Sequence, residues 1–170
     1  MGAGRPDVHV RAAREPDLPA LTDVYNHYVR TSAATFDIEP LTVEQRRDWL
    51  VAHPDTGPHR LLVATEGDRI LGYASSGPFR VRPAYRSTVE TSVYLDLGAT
   101  ARGIGTLLYE RLFDELGGQG LHRAVAGVTL PNEQSRALHR RLGFTEVGTF
   151  TEVGFKFDRY WDVLWLEKPL

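Results

Sequence analysis

Apolar and polar positions alternate from Val8 to Ala12, and this period of two predicts a first strand. From Asp17 the period lengthens, with Leu18, Leu21, Val24, Tyr25 and Tyr28 at helical spacing, and the polar stretch Thr31-Ser32-Ala33-Ala34-Thr35-Phe36 follows as a loop. Thr42-Val43-Glu44-Gln45 has the form of a capping box and opens a short helix through Trp49 and Leu50. Leu61-Leu62-Val63-Ala64 and Ile70-Leu71-Gly72-Tyr73-Ala74 flank the turn Glu66-Gly67-Asp68-Arg69, which predicts a hairpin. Residues 88–96 form a third long β run. A helical pattern through Leu107, Leu108, Leu112 and Leu116 follows, and Gly117-Gly118 ends it. Residues 124–130 read as a buried strand. Pro131-Asn132 starts a helix through Leu138 and Leu142 that Gly143 stops. The tail alternates over residues 144–153 and again over 160–166. Strand, two helices, three strands, helix, strand, helix and two strands make an α+β fold, a mixed sheet covered by helices.

The 170 residues suit one domain, residues 1–170, around one core. No apolar run approaches the ~20 residues a membrane-spanning helix needs. Met1-Gly2-Ala3-Gly4-Arg5-Pro6 lacks the apolar stretch of a secretory signal, so a cytoplasmic protein is expected. A net charge of -2 offers no broad basic surface for nucleic acid. The absence of cysteine excludes disulfides, thiolate metal sites and a cysteine acyl-enzyme. The six histidines lack metal-ligand spacing, and no metal is expected. Positive charge is almost all arginine, with Lys156 and Lys168 the only lysines. That bias suits either base composition or a site requiring forked anion recognition.

Ala101-Arg102-Gly103-Ile104-Gly105-Thr106 joins a strand to a helix. Such a junction aims unpaired N–H groups and the positive helix end outward, and its glycines let a phosphate approach the main chain. Arg102 can add a charge-assisted contact. The turn matches neither nucleotide motif: Leu108 stands where a dinucleotide fingerprint needs its last glycine, and Ile104 where a P-loop needs lysine. Taken alone it is equally a tight turn that needs two glycines.

Four segments then occur in order: Val93-Tyr94-Leu95-Asp96, the Arg102-Gly103-Ile104-Gly105 turn, Leu130-Pro131-Asn132-Glu133-Gln134-Ser135, and His139-Arg140-Arg141-Leu142-Gly143-Phe144. Together they resemble the GNAT superfamily of N-acetyltransferases, whose sheet is mixed, mostly antiparallel and flanked by helices on both faces. Thr88-Val89-Glu90-Thr91-Ser92-Val93-Tyr94, Gly154-Phe155-Lys156 and Trp161-Asp162-Val163 narrow the resemblance to the phosphinothricin and methionine sulfoximine acetyltransferases. One departure is Thr100, where the superfamily usually carries Gln or Arg. The resemblance implies acetyl-CoA as co-substrate. Its pantetheine arm would lie along Val93, Tyr94 and Leu95, and its pyrophosphate on Ala101 to Thr106. Asn132 and Ser135 resemble the family's polar contacts to the arm, although Asn132 is equally placed to cap the following helix.

Acetyl transfer to an amine requires a neutral nitrogen, so a base must take a proton from the ammonium. Glu90 is the candidate; it shares one face of its strand with Ser92 and Tyr94, while Val89, Val93 and Leu95 share the other. Arg86 is an alternative partner that would make Glu90 structural. His139 stands where many members carry a tyrosine that protonates the leaving thiolate; it is also placed to be a packed helix histidine, and Tyr109 is a rival. Phe79-Arg80-Val81-Arg82-Pro83-Ala84-Tyr85-Arg86 offers guanidinium groups for a carboxylate or phosphinate, or is a solvated basic loop. The resemblance favours Arg82 and Tyr85, then Arg80, with Lys156 as a second anion contact and Phe36 closing over the substrate. It also implies a homodimer, for which Trp161 and Trp165 could supply an apolar face, although they could equally belong to the core. The leading expectation is therefore acetyl transfer to a small amino-acid-like amine, in detoxification. A protein N-terminal or lysine acetyltransferase and a non-catalytic acyl-CoA sensor are the alternatives.

Overall fold

The computed structural model describes residues 7–170; the segment Met1 to Pro6, read above for a missing signal, lies outside the described residues. The elements are β1 (Val8–Ala12), α1 (Leu18–Thr31), α2 (Val43–Val51), β2 (Leu61–Glu66), β3 (Arg69–Pro78), β4 (Thr88–Leu95), α3 (Ile104–Leu116), β5 (Arg123–Thr129), α4 (Glu133–Arg141), β6 (Thr145–Lys156) and β7 (Arg159–Pro169). The order read from periodicity holds throughout. The capping box forms as written, with Thr42 Oγ1 accepting from Gln45 N at 3.2 Å and Gln45 Oε1 accepting from Thr42 N at 2.8 Å. Among the described residues no helix is long and apolar enough to cross a membrane.

Among the described residues seven strands form one sheet in the order β1-β2-β3-β4-β5-β7-β6. Every neighbouring pair is antiparallel except β4 with β5. That parallel pair is joined through α3, as parallel strands require a crossover. α3 packs on one face, where Leu108, Leu112 and Leu116 meet Leu62, Leu71, Val89 and Ala124 in an aliphatic core. α1 and α2 cover the other, where Leu21, Trp49 and Leu50 meet Leu61, Val63 and Tyr73. The two-face reading of β4 holds, because Val89, Val93 and Leu95 belong to the first cluster and Tyr94 to the second.

Candidate active site

β4 and β5 pair over only Thr88↔Arg123, Val89↔Ala124 and Glu90↔Val125. Beyond Glu90 they line a cleft of about 190 Å³ whose walls include Ser92, Val93, Gly127, Asn132, Ser135 and His139. The register leaves part of β4 unpaired there. Asp96 N donates to Leu71 O at 2.9 Å, and residues 72–78 pair in step with 95–89. Because hydrogen-bonded pairs alternate along an antiparallel ladder, Tyr94 and Ser92 spend their main-chain groups on β3, while Val93 and Leu95 turn theirs toward the cleft. The Leu95 carbonyl already accepts from the Tyr28 hydroxyl at 2.7 Å.

At one end of the cleft, Ala101 (φ 61) and Gly103 (φ 78) turn the chain through left-handed conformations into α3. Gly103 pays little for that geometry, since it lacks the Cβ that disfavours it. Among the described residues no side chain caps the helix, and its first internal bond runs from Leu107 N to Gly103 O. The amides of Ile104, Gly105 and Thr106 thus have no intrahelical acceptor and point out with the positive helix end. Arg102 is already paired with Glu66 at 2.7 Å, so its charge sits beside the turn in an existing ion pair.

Glu90 occupies the last paired rung, on a central strand between β3 and β5. Its carboxyl keeps an open side to solvent, yet the surrounding strands and loop remove enough water to push its pKa up; Arg80 pulls the other way. The alternative of an Arg86 partner fails: among the described residues Glu90 makes no ion pair, and the cation that acts on it is Arg80. Arg80 lies with its guanidinium 4.6 Å from the Phe79 ring centre, and Phe79 meets Tyr85 edge-on at 5.7 Å. Arg82 stands exposed at the start of the turn Pro83–Tyr85.

His139 is buried in the cleft wall. Its Nδ1 donates to Ser135 O at 2.7 Å, leaving Nε2 to accept from the Tyr109 hydroxyl at 3.3 Å. Burial holds its pKa below the ordinary histidine value, against the raising effect of the Ser135 carbonyl. Tyr109 is wholly buried and stacked on Phe113, so it is a core residue whose hydroxyl alone reaches the site. Asn132 Oδ1 accepts from Ser135 N at 3.0 Å, so the capping part expected of Asn132 is real. Its side-chain NH2 remains for the cleft.

Lys156 is buried and donates to Ser32 O and Thr35 O, each at 2.8 Å, so two of its three N–H groups strap the loop after α1 to β6. Phe36, on that loop, lies against the backbone of Gly154, where any side chain would collide with its ring. Trp161 and Trp165 are half-buried, Trp161 donating to Lys156 O at 2.8 Å, while the outermost strand β6 exposes Val147, Phe150, Val153 and Phe155.

One residue escaped the sequence reading. Arg46 on α2 is only 4% exposed and faces the sheet, while neighbouring Arg47 points to solvent. The signal was its spacing from Trp49 and Leu50 on the apolar side of α2.

Residues 10–165 match the family model described as an acetyltransferase (GNAT) domain. The chain is 58% identical to a phosphinothricin N-acetyltransferase of Streptomyces coelicolor, over 98% of this chain and 99% of that one. It is 36% identical to an L-methionine sulfoximine/L-methionine sulfone acetyltransferase of Salmonella typhimurium, over 95% and 94%. A solved structure from Salmonella typhimurium, yncA with its cofactor acetyl-CoA, superposes with a TM-score of 0.92 at 35% identity, over 96% of this chain and 94% of that one. The splayed strands, the uncapped helix start and these likenesses agree: the chain belongs to the GNAT acetyltransferase family.

Proposed function

We propose that this chain moves the acetyl group of acetyl-CoA onto the amine of a small anionic amino acid of the phosphinothricin or methionine sulfoximine type, as a single-domain, cytoplasmic homodimer. The observation that carries the reading is the place of Glu90, a carboxylate with a raised pKa where β4 and β5 part, beside unpaired main-chain groups. The names of the two relatives support the acceptor class.

The residues present fit acetyl-CoA, since three amides lack acceptors at the head of α3 and one edge of β4 is unpaired. Ala101 to Thr106 would hold the pyrophosphate, Arg102 adding charge at the rim. Val93, Tyr94 and Leu95 would run beside the pantetheine arm, with Asn132 and Ser135 opposite. The bound thioester supplies an activated carbonyl and a sulfur leaving group. Glu90 takes a proton from the acceptor ammonium, directly or through water, so that the nitrogen gains its lone pair. Val93 N–H, free of β3, is the donor best set to meet negative charge on the carbonyl oxygen. The neutral His139 ring holds the Tyr109 hydroxyl in the wall, and that bond pattern supports an orienting part for His139. Arg80, Arg82, Tyr85 and Phe36 wall the acceptor, and Lys156 acts by holding the loop that carries Phe36. A second copy would cover Val147, Phe150, Val153 and Phe155 of β6; light scattering that shows a monomer at micromolar concentration ends that part of the proposal.

The test is thiol release from acetyl-CoA with phosphinothricin, methionine sulfoximine, methionine sulfone, a broad amino-acid panel and short peptides. Release stimulated by the first three is expected. Stimulation by peptides alone would turn the reading to protein acetylation, and acetyl-CoA binding without stimulation by any amine would turn it to the sensor.

A further inference from the structure

Beneath α1 and α2 lies a second cavity, of about 300 Å³, that the chemistry above leaves unused. It shares Ser92 and Tyr94 with the cleft between β4 and β5, so the two adjoin at the reaction centre. Arg46 lines it. The guanidinium carbon sits 3.9 Å from the Trp49 ring centre, 4.5 Å from that of Tyr25 and 5.6 Å from that of Tyr73. These ring faces offset part of the cost of burying a cation. They do not use its hydrogens. Of five N–H groups, one makes a long 3.4 Å bond to the Tyr73 hydroxyl, and Nε is buried without a partner among the described residues. No carboxylate among the described residues forms an ion pair with Arg46. Asp37, the acid nearest the cavity, lies exposed at its rim and accepts from the Tyr25 hydroxyl. The same cavity is lined by neutral polar groups: the Ser75 and Ser92 hydroxyls, 3.0 Å apart, and Gln45.

A buried, forked cation with idle donors, set among hydroxyls and beside a reaction centre, is matched by an oxyanion. We propose that Arg46, with Ser75 and Ser92, forms the subsite for an oxyanionic group of the acceptor, separate from the arginine loop at residues 80–86. The inference rests on the acceptor being an anionic amino acid. Two groups of such an acceptor carry the required chemistry, its α-carboxylate and, in phosphinothricin, its side-chain phosphinate.

The experiment compares wild type with Arg46→Met, chosen because an apolar side chain of similar length keeps the packing under α2. Steady-state kinetics would use phosphinothricin, its α-carboxamide, and an analogue with a neutral, oxygen-free side chain. The expected result is an acceptor KM raised at least about tenfold for every compound bearing the recognised oxyanion, no change for the one lacking it, and an unchanged KM for acetyl-CoA. The insensitive compound identifies the group. Ser75→Ala, which barely alters volume, should give the same selectivity with a smaller rise. If Arg46→Met does not fold, that variant alone decides. Equal effects on all three acceptors, or wild-type KM values in the foldable variants, would overturn the subsite and leave Arg46 as a packing strut. Should wild type acetylate none of the compounds, the proposed function falls; the subsite is then read from thermal protection of wild type by phosphinothricin and its analogues, and equal protection of the variant overturns it.

Discussion

The turn before α3 and the cavity beneath α1 and α2, proposed to hold the two halves of one reaction, are made of different materials. The first presents main-chain amides of Ile104, Gly105 and Thr106, aimed by an αL glycine and the start of a helix. The second presents side chains: the Arg46 guanidinium, two serine hydroxyls and a wall of tyrosines. Backbone recognition suits a diphosphate, which offers the same oxygens whatever acyl group it carries. Side-chain recognition suits an acceptor that must be told from its neighbours. The donor half should therefore tolerate most side-chain changes, and the acceptor half few.

The sharpest break in that contrast is Glu90→Gln, which removes the proposed base from the border between the halves. Turnover should fall by about 10²- to 10⁴-fold, with acetyl-CoA affinity by calorimetry unchanged. Burial raises the Glu90 pKa above its ordinary 4.5, so wild-type kcat/KM should decline on the acid side at a pH above that value, where the base takes up its own proton. The variant should lack that limb. Retained turnover across the range would remove Glu90 from the mechanism.

Lys156→Met tests the acceptor half through its scaffold. It strips donors from the Ser32 and Thr35 carbonyls, and denaturant unfolding should show a loss of about 2 kcal/mol together with a higher acceptor KM. An unchanged acceptor KM would separate the loop from recognition.

On the donor side, Gly103→Ala puts a Cβ on a left-handed residue at φ 78. The strain of about 1 kcal/mol should weaken acetyl-CoA roughly fivefold and leave the acceptor KM alone. Arg102→Ala, already engaged with Glu66, should cost less than this; an effect larger than that of Gly103→Ala would show the donor half depending on a side chain after all.

His139 gives the smallest effect. Its folded pKa lies below 6.5, so as pH falls through 6.5 the unfolded chain takes up the proton first and the fold loses stability. Thermal unfolding of wild type should therefore decline more steeply below that pH than for His139→Gln. Parallel curves would mean that the ring is not held neutral.

Periodicity and caps placed every element because those signals are local. Thr42 with Gln45 closes a box three residues wide, and the period of two along β4 sorts Glu90, Ser92 and Tyr94 from Val89, Val93 and Leu95 whatever lies on either side. The Gly103 turn was legible for the same reason: a strand, a glycine and a helix start are neighbours in the chain. The Arg46-Arg47 pair was not. One side chain is buried and the other exposed, and nothing in the doublet itself says which until Trp49 and Leu50 are seen to set the inward face.

The order of strands and helices, the faces of β4 and the Gly103 turn follow from the chain alone, since each depends on dihedral preferences and caps within a few residues. Long-range packing is what makes β5 leave β4 after three rungs, joins Lys156 to Ser32 from 124 positions away, and places Arg46 rather than Arg47 under α2. Such contacts join segments that must first close long loops and settle one register against another, and many alternative pairings satisfy the same local pattern until the packed core selects among them.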